Sequence, residues 1–351
     1  MKEEHFDRER YEEAFKKVYS EKYDEFEEIM RKKLIISVVG SVNAGKSSTI
    51  NALTGIRYAE VKAKAGWTKE ISLYELKKGV FIADTPGLHD IDEKSPQKAY
   101  EFIEKETDIV LFFLNAARGL DRYEKEAFKS IQSLRKETIV VLNKIDTIDE
   151  DEVHDVVAQI EEELGVQPIP VSAKNGTNIE KLHDRILKVL KTKGKDLLFA
   201  KVSNYKERIV AKWIRAATTT AAGIGALPIP GSDIVPLTAL QVGLAMKIAH
   251  IYGISPSEKD IMNLIASTVT GTAGRRVMRW GITALKTLGW VPGGQLGEVA
   301  TCSLAAVIAG GITYSFGWAC NAYYKSGMGI EMDELGKIFD QYYNEYKSNN
   351  A

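Results

Sequence analysis

The chain has 351 residues, 44% of them apolar and 27% charged, with a formal net charge of −1. That length holds two domains with separate cores, and the near-zero charge excludes a global pull toward nucleic acid or anionic lipid. Two cysteines, Cys302 and Cys320, are too few for a disulfide framework; both stand in an apolar stretch and are expected as buried free thiols.

Residues 1–33 are dense in Glu, Lys, Arg and Asp, with Phe6, Tyr11, Phe15, Val18, Tyr19, Phe26 and Met30 recurring at helical spacing. This predicts a charged amphipathic helix that packs on a neighbouring domain. Its charge is unlike a secretory leader, so cytoplasmic placement is expected, with association to a membrane surface left open by the C-terminal half. From residue 34 short apolar runs follow, at 34–39, 71–76, 80–83, 109–114, 139–142 and 166–171. Helical patterns at 49–54, 96–106, 121–135, 150–164 and 177–192 separate most of them. That alternation predicts an α/β domain over 34–194, with a mostly parallel six-stranded sheet and helices on both faces. Lys77-Lys78-Gly79 predicts one antiparallel hairpin, and 195–205 reads as a linker.

Residues 206–351 predict an all-α apolar helical domain. Two similar breaks, at 227–234 and 290–296, suggest two helical hairpins. Residues 299–324 carry no charge and are long enough to cross a bilayer, but their Gly, Ala, Ser and Thr suit close helix packing equally well. Arg275, Arg276 and Arg279 could meet phosphates or form a solvated face.

The chemistry concentrates in the first domain. Gly40-Ser41-Val42-Asn43-Ala44-Gly45-Lys46-Ser47, with Ser48 behind it, fits G-x-x-x-x-G-K-[ST] between a predicted strand and a predicted helix. Glycines there let backbone N–H groups wrap phosphates, Lys46 reaches the β- and γ-phosphates, and Ser47 supplies a magnesium ligand. Asp84-Thr85-Pro86-Gly87 follows a strand, where a carboxylate can hold the same ion and Gly87 can approach the γ-phosphate. Asn143-Lys144-Ile145-Asp146 ends another strand. The Asp146 carboxylate can accept two hydrogen bonds from guanine, which adenine cannot offer. Lys144 can cover the base, Asn143 can brace the loops, and Ser172-Ala173-Lys174 can present a backbone N–H to the guanine oxygen.

With these four motifs in order, residues 34–192 resemble the translation-factor-related GTPases, especially the Era-like and tRNA-modification-GTPase group. The resemblance implies a P-loop GTPase fold, GTP/GDP and Mg²⁺ as ligands, and a GTP-hydrolysing switch. It implies that Thr68, in Ala65-Gly66-Trp67-Thr68-Lys69-Glu70, binds magnesium from the first switch, although Trp67 departs from the family's pattern. It also implies that Asn43 can hold K⁺, as in potassium-activated members whose GTPase faces meet in a homodimer. Ras-like enzymes place a water-orienting glutamine where this chain has Leu88, and the neighbouring His89 is titratable. The catalytic set expected is Lys46, Thr68, Gly87 and Asn43. The segment 205–325 resembles a helical domain of unknown function that follows GTPase domains in bacterial proteins. A dynamin-like or interferon-inducible-like membrane GTPase, a ribosome- or RNA-linked assembly GTPase and a nucleotide-sensing scaffold stay open as alternatives. No dense basic stretch follows the first domain, which disfavours nucleic acid without excluding it.

Overall fold

The computed structural model describes residues 2–57, 60, 63–68, 71–85, 95–226, 234–268 and 297–350. The chain divides into two compact units, residues 29–206 and residues 1–28 together with 207–351.

The first unit is built on a seven-stranded sheet of order β2-β3-β4-β1-β5-β6-β7. The strands are β1 (Leu34–Gly40), β2 (Ala63–Thr68), β3 (Ile71–Lys77), β4 (Val80–Asp84), β5 (Ile109–Asn115), β6 (Thr138–Asn143) and β7 (Ile169–Pro170). From β4 to β7 neighbours run parallel, while β2, β3 and β4 form an antiparallel meander. The seventh strand is β2, which occupies part of the segment read as the first switch. Strand β7 is shorter than its apolar run; Pro168 and Pro170 lack N–H donors, and beyond them Val171 N donates to Leu142 O at 2.8 Å.

Residues of β5 divide between the two faces with period two. Ile109, Leu111 and Phe113 join a core with Ile36, Val38, Ile50, Leu53, Leu182 and Ile186. Val110, Phe112 and Leu114 join the opposite core with Phe128, Ile131, Ile160 and Leu164. Besides β1, these partners come from α2 (Lys46–Thr54), α4 (Arg122–Ser133), α5 (Glu150–Leu164) and α6 (Ile179–Thr192), and α3 (Ser95–Glu106) adds Ile103 to the second core. Helix α4 starts where Asp121 and Glu124 cap each other, with Glu124 N donating to Asp121 Oδ1 at 2.7 Å. Residues 195–205, expected as a linker, instead carry helix α7 (Asp196–Val202), whose Leu197, Leu198, Phe199, Ala200 and Val202 are all buried. An apolar run of that density cannot stay in solvent, and Lys195 pins its start to Asp108 at 2.5 Å.

The second unit combines α1 (Lys2–Arg31), apart from its last residues, with α8 (Lys206–Gly225), α9 (Ile234–Ile251), α10 (Glu258–Thr268), α11 (Gly297–Lys325) and α12 (Met332–Asn350). Its core takes Phe15, Val18 and Phe26 from α1, with Ile214, Met246, Leu264, Phe316, Tyr324 and Phe339. The Phe26 ring stacks on His250 at 5.3 Å, and Tyr19 Oη donates to Pro256 O at 3.0 Å. The glycines of α11 make close helix contact. A Cβ on Gly311 would lie 2.7 Å from the Tyr343 ring, and one on Gly317 would lie 2.7 Å from Ile214. Cys320 is a buried free thiol, and burial pushes its pKa up. Among the described residues no helix is long and apolar enough to cross a membrane. The loop segments 227–233 and 290–296, with Arg275, Arg276 and Arg279, lie outside the described residues.

Candidate functional site

Strand β1 delivers the phosphate loop at the C-terminal ends of the parallel strands. Gly40 is needed there because a Cβ would stand 2.4 Å from Phe113 O. Gly45 is held at φ +84°, and its Cβ would stand 2.0 Å from Asn143 Nδ2. Gly45 has no side chain to cap α2, and the N-terminal end of that helix is suited to an anion. Asn43 takes a left-handed φ of 65°, while Val42 is 73% exposed. Ala44 is buried, as is the Ser41 hydroxyl, which has no hydrogen-bond partner. Ser47 and Ser48 are exposed on the first turn of α2.

Lys46 folds back over the loop and donates to Gly40 O at 2.9 Å and Ser41 O at 3.3 Å. Burial lowers its pKa, and the nearby Asp84 carboxylate opposes that shift. Burial raises the pKa of Asp84, and Lys46 opposes it in turn. The two therefore form a partly desolvated pair of opposite charge beside the loop. Thr85, which follows, ties this segment to β1 by donating from Oγ1 to Val38 O at 3.2 Å.

Asn143 bridges two loops. Its Nδ2 donates to Ala44 O at 2.9 Å, and its Oδ1 accepts from Ala173 N at 3.2 Å. Lys144 stands in the left-handed region at φ 67° and caps the short 3-10 turn Ile145–Thr147. Ser172 Oγ donates to Asp146 Oδ1 at 2.6 Å, which lowers the Asp146 pKa. Lys174 Nζ lies 3.9 Å from Asp146 Oδ2. Ser172 N donates to Thr177 O at 3.0 Å and closes the loop.

The structure thus brings Gly40, Ala44, Gly45, Lys46 and Asp84 together, and joins them through Asn143 to Asp146, Ser172, Ala173 and Lys174. Thr68 ends β2 opposite Ile71, with its side chain outside the described residues. Gly87, Leu88 and His89 also lie outside them. Sequence reasoning missed the anchoring by Thr85 and the closure at Thr177. A hydroxyl directly after Asp84 was the one available signal for the first; the second is a backbone contact without a side-chain signature.

A strand, a glycine-bent phosphate loop opening a helix, and a carboxylate-bearing base loop define a P-loop GTPase domain. Residues 35–144 match the family described as 50S ribosome-binding GTPase, and residues 188–348 match a domain of unknown function, DUF697. The chain carries a GTPase domain of the Era and Der type, followed by that helical domain. GTPase Era of Halothermothrix orenii is 31% identical over 162 residues, which cover 44% of this chain and 55% of the relative. GTPase Der of Nautilia profundicola is 34% identical over 183 residues, covering 50% of this chain and 38% of the relative. Among solved structures, Aquifex aeolicus Era bound to GDP.AlF4- is 28% identical, with a TM-score of 0.37, covering 45% of this chain and 57% of that one. The chain spans less than two thirds of the length of each of these relatives.

Proposed function

We propose that this chain is a magnesium-dependent switch that binds and hydrolyses GTP and passes its nucleotide state to the helical domain. The observation that carries this reading is the bridge made by Asn143, from Ala44 O in the phosphate loop to Ala173 N in the base loop. One side chain makes the two ends of a nucleotide site a single rigid frame. The orphaned Ser41 hydroxyl and the uncapped start of α2 fit a phosphate-bearing ligand. Lys46, now bonded to loop carbonyls, has its ammonium where those phosphates would bind. Asp146, kept ionised by Ser172, can accept from N1–H and the exocyclic amine of guanine.

Ser47, Asp84 and Thr68 would hold Mg²⁺, which when bound offsets charge on the phosphates. Asn43 would hold K⁺ beside the same phosphates, in a homodimer joined through the GTPase face. Leu88 has no group that can orient water, so Gly87 and the first switch would position it through backbone.

Titration calorimetry tests base recognition. Wild type should prefer GDP over ADP, and Asp146→Asn should turn that preference toward xanthosine diphosphate. Retained guanine preference in the variant would sink the assignment. Steady-state rates at matched ionic strength should be higher in potassium than in sodium, and Asn43→Ala should lose the difference. A ribosome-linked role is the second reading, favoured by the description of the matching family. Salt-sensitive co-sedimentation with ribosomes, dependent on a GTP analogue, would support it.

A further inference from the structure

Helix α2 ends at Thr54, and the last carbonyls of a helix have no partner inside it. Two of them are met from beyond the helix. Gly55 N donates to Asn51 O at 2.7 Å, and Asn204 N donates to Leu53 O at 2.9 Å. The second donor comes from a distant part of the chain, the short segment 203–205 that joins α7 to α8. Gly55, at φ +69°, leaves that segment room to approach, since a Cβ on it would stand 3.2 Å from Asn204 Oδ1.

The segment is held from two further sides. Ser203 N donates to Ala200 O at 3.2 Å, at the end of α7. The buried Ser203 Oγ accepts from Tyr205 N at 2.9 Å and shares a hydrogen bond with His183 Nε2, on α6, at 2.7 Å. The His183 ring lies 5.4 Å from the Phe199 ring and 4.9 Å from that of Tyr205. Leu198, Phe199 and Val202 of α7 share one core with Ile50 and Leu53 of α2 and Ile186 of α6. Residues 203–205 are thus tied to three helices of the first unit. Helix α8 starts at the next residue, and from Glu207 onward the chain belongs to the second unit.

The other end of α2 carries the phosphate loop. Thr49 binds Gly45 O twice, from its N and from its Oγ1, each at 3.0 Å. Lys46, the first residue of the helix, has two alternative sets of acceptors. One is the pair of loop carbonyls that it meets here, Gly40 O and Ser41 O; the other is the phosphate oxygens of a bound nucleotide. At 1.5 Å per residue, α2 is a strut about 13 Å long. A short hydrogen-bonded helix tied at both ends moves as one piece, so a shift at the phosphate loop is felt at Leu53 O.

We propose that Asn204 is a positioning residue whose backbone N–H couples the phosphate loop, through α2, to the start of α8. Residues 203–205 are then the element through which the nucleotide and the helical domain act on each other. This rests on the reading of the chain as a GTP switch and adds the point at which the signal leaves the GTPase domain. The coupling is reciprocal, so whatever fixes the exit segment also biases nucleotide binding. The donor is the main chain, and the exposed Asn204 side chain is dispensable.

Hydrogen exchange of α8, followed by mass spectrometry on the full chain, tests this with GDP and with a non-hydrolysable GTP analogue. Exchange in wild type should differ between the two nucleotides by about fivefold or more, the lower end of ordinary coupling, and Asn204→Pro should shrink that to under about twofold. Ser203, at φ −66° and ψ 142°, already has the backbone that a following proline requires. Asn204→Ala keeps the N–H and should keep the difference. Ser203→Ala removes the hydroxyl between His183 and Tyr205 N and should reduce it. Ile131→Val loosens the opposite core without touching this path and should leave it intact. An undiminished difference in Asn204→Pro would overturn the proposal, as would its loss in Asn204→Ala or Ile131→Val. Should circular dichroism show that Asn204→Pro does not fold, Ser203→Ala decides in the same way. Calorimetry keeps the two readings apart. A wild type that binds both nucleotides but exchanges α8 equally with each refutes this proposal and leaves the nucleotide site standing. A wild type that binds neither refutes the nucleotide reading and this one with it.

Discussion

Asn143 shows how much one buried amide can fix. It is 1% exposed, it satisfies a carbonyl of the phosphate loop and an N–H of the base loop, and Gly45 exists to leave room for it. Asn143→Ala leaves both partners unsatisfied. It should destabilise the first unit by about 2–4 kcal/mol, given roughly 1–2 kcal/mol per stranded buried group, and should weaken GDP binding too. Urea unfolding and calorimetry check both effects. Gly45→Ala should be worse for binding, because the new methyl both strains a positive φ and displaces the amide. At Asp146 the argument concerns pH. Its folded pKa is depressed, chiefly by the Ser172 hydrogen bond, so the ionised form is favoured and the interaction is lost only as pH falls through that lowered value. GDP affinity in wild type should therefore hold below the usual carboxylate range, and Ser172→Ala should move the acid limb to higher pH. An identical limb in both proteins would remove Ser172 from this role.

Among the elements, α8 and α11 turn composition into contact. Gly225, the last residue of α8, faces Ala305 O at 2.8 Å and Ala309 Cβ at 2.7 Å from where a Cβ would be. A backbone oxygen cannot swing aside, so Gly225→Ala should destabilise the helical unit by about 1–3 kcal/mol. Gly223, two residues earlier and so on a different face of α8, has open space around its Cβ position. Gly223→Ala should instead stabilise by about 0.5–1 kcal/mol, since alanine restrains the unfolded helix more. Opposite shifts of the thermal midpoint for the pair would confirm that packing, not propensity, explains these glycines. The same elements show what the sequence makes legible. The strand, loop and helix around 40–47 are plain from local order, because a phosphate loop needs its residues consecutive. The run Ile109–Leu114 marks a strand, but because all six residues are apolar it does not tell which of them face which core. Helix α7 looks like a linker in the sequence because Lys191, Lys193, Gly194 and Lys195 dominate its approach; its anchoring depends on distant partners that no local pattern reveals. Strand β2 was hidden because Ala63–Thr68 has little apolar alternation and forms by pairing with β3.

At the scale of the whole molecule, the chain passes twice between the units, at 28–29 and at 206–207. The N-terminal helix therefore belongs to the helical unit, although the GTPase domain separates them in sequence. Amphipathic periodicity predicts that such a helix packs somewhere; it does not encode which surface receives it. The consequence is a dependence that can be measured. Phe15, Val18 and Phe26 are at most 6% exposed, and each contributes about 1.5–3 kcal/mol by burial, so together they approach the whole stability of a typical domain. Removing residues 1–28 should unfold the helical unit or make it aggregate, seen as loss of helical circular dichroism and of cooperative melting. The nucleotide site proposed above lies within 29–206, where Asn143 and Ser172 make their bonds beside Gly45. GDP affinity of the truncated chain should stay within about threefold of wild type, a change under 1 kcal/mol. Phe15→Ala/Phe26→Ala in the full chain should give the same split with smaller amplitude, which separates loss of packing from loss of length. If the truncated chain melted with an unchanged helical transition, the assignment of α1 to that unit would fail. If GDP affinity fell with it, the two units would be coupled through α1, and the helix would be the route by which nucleotide state reaches the helical domain.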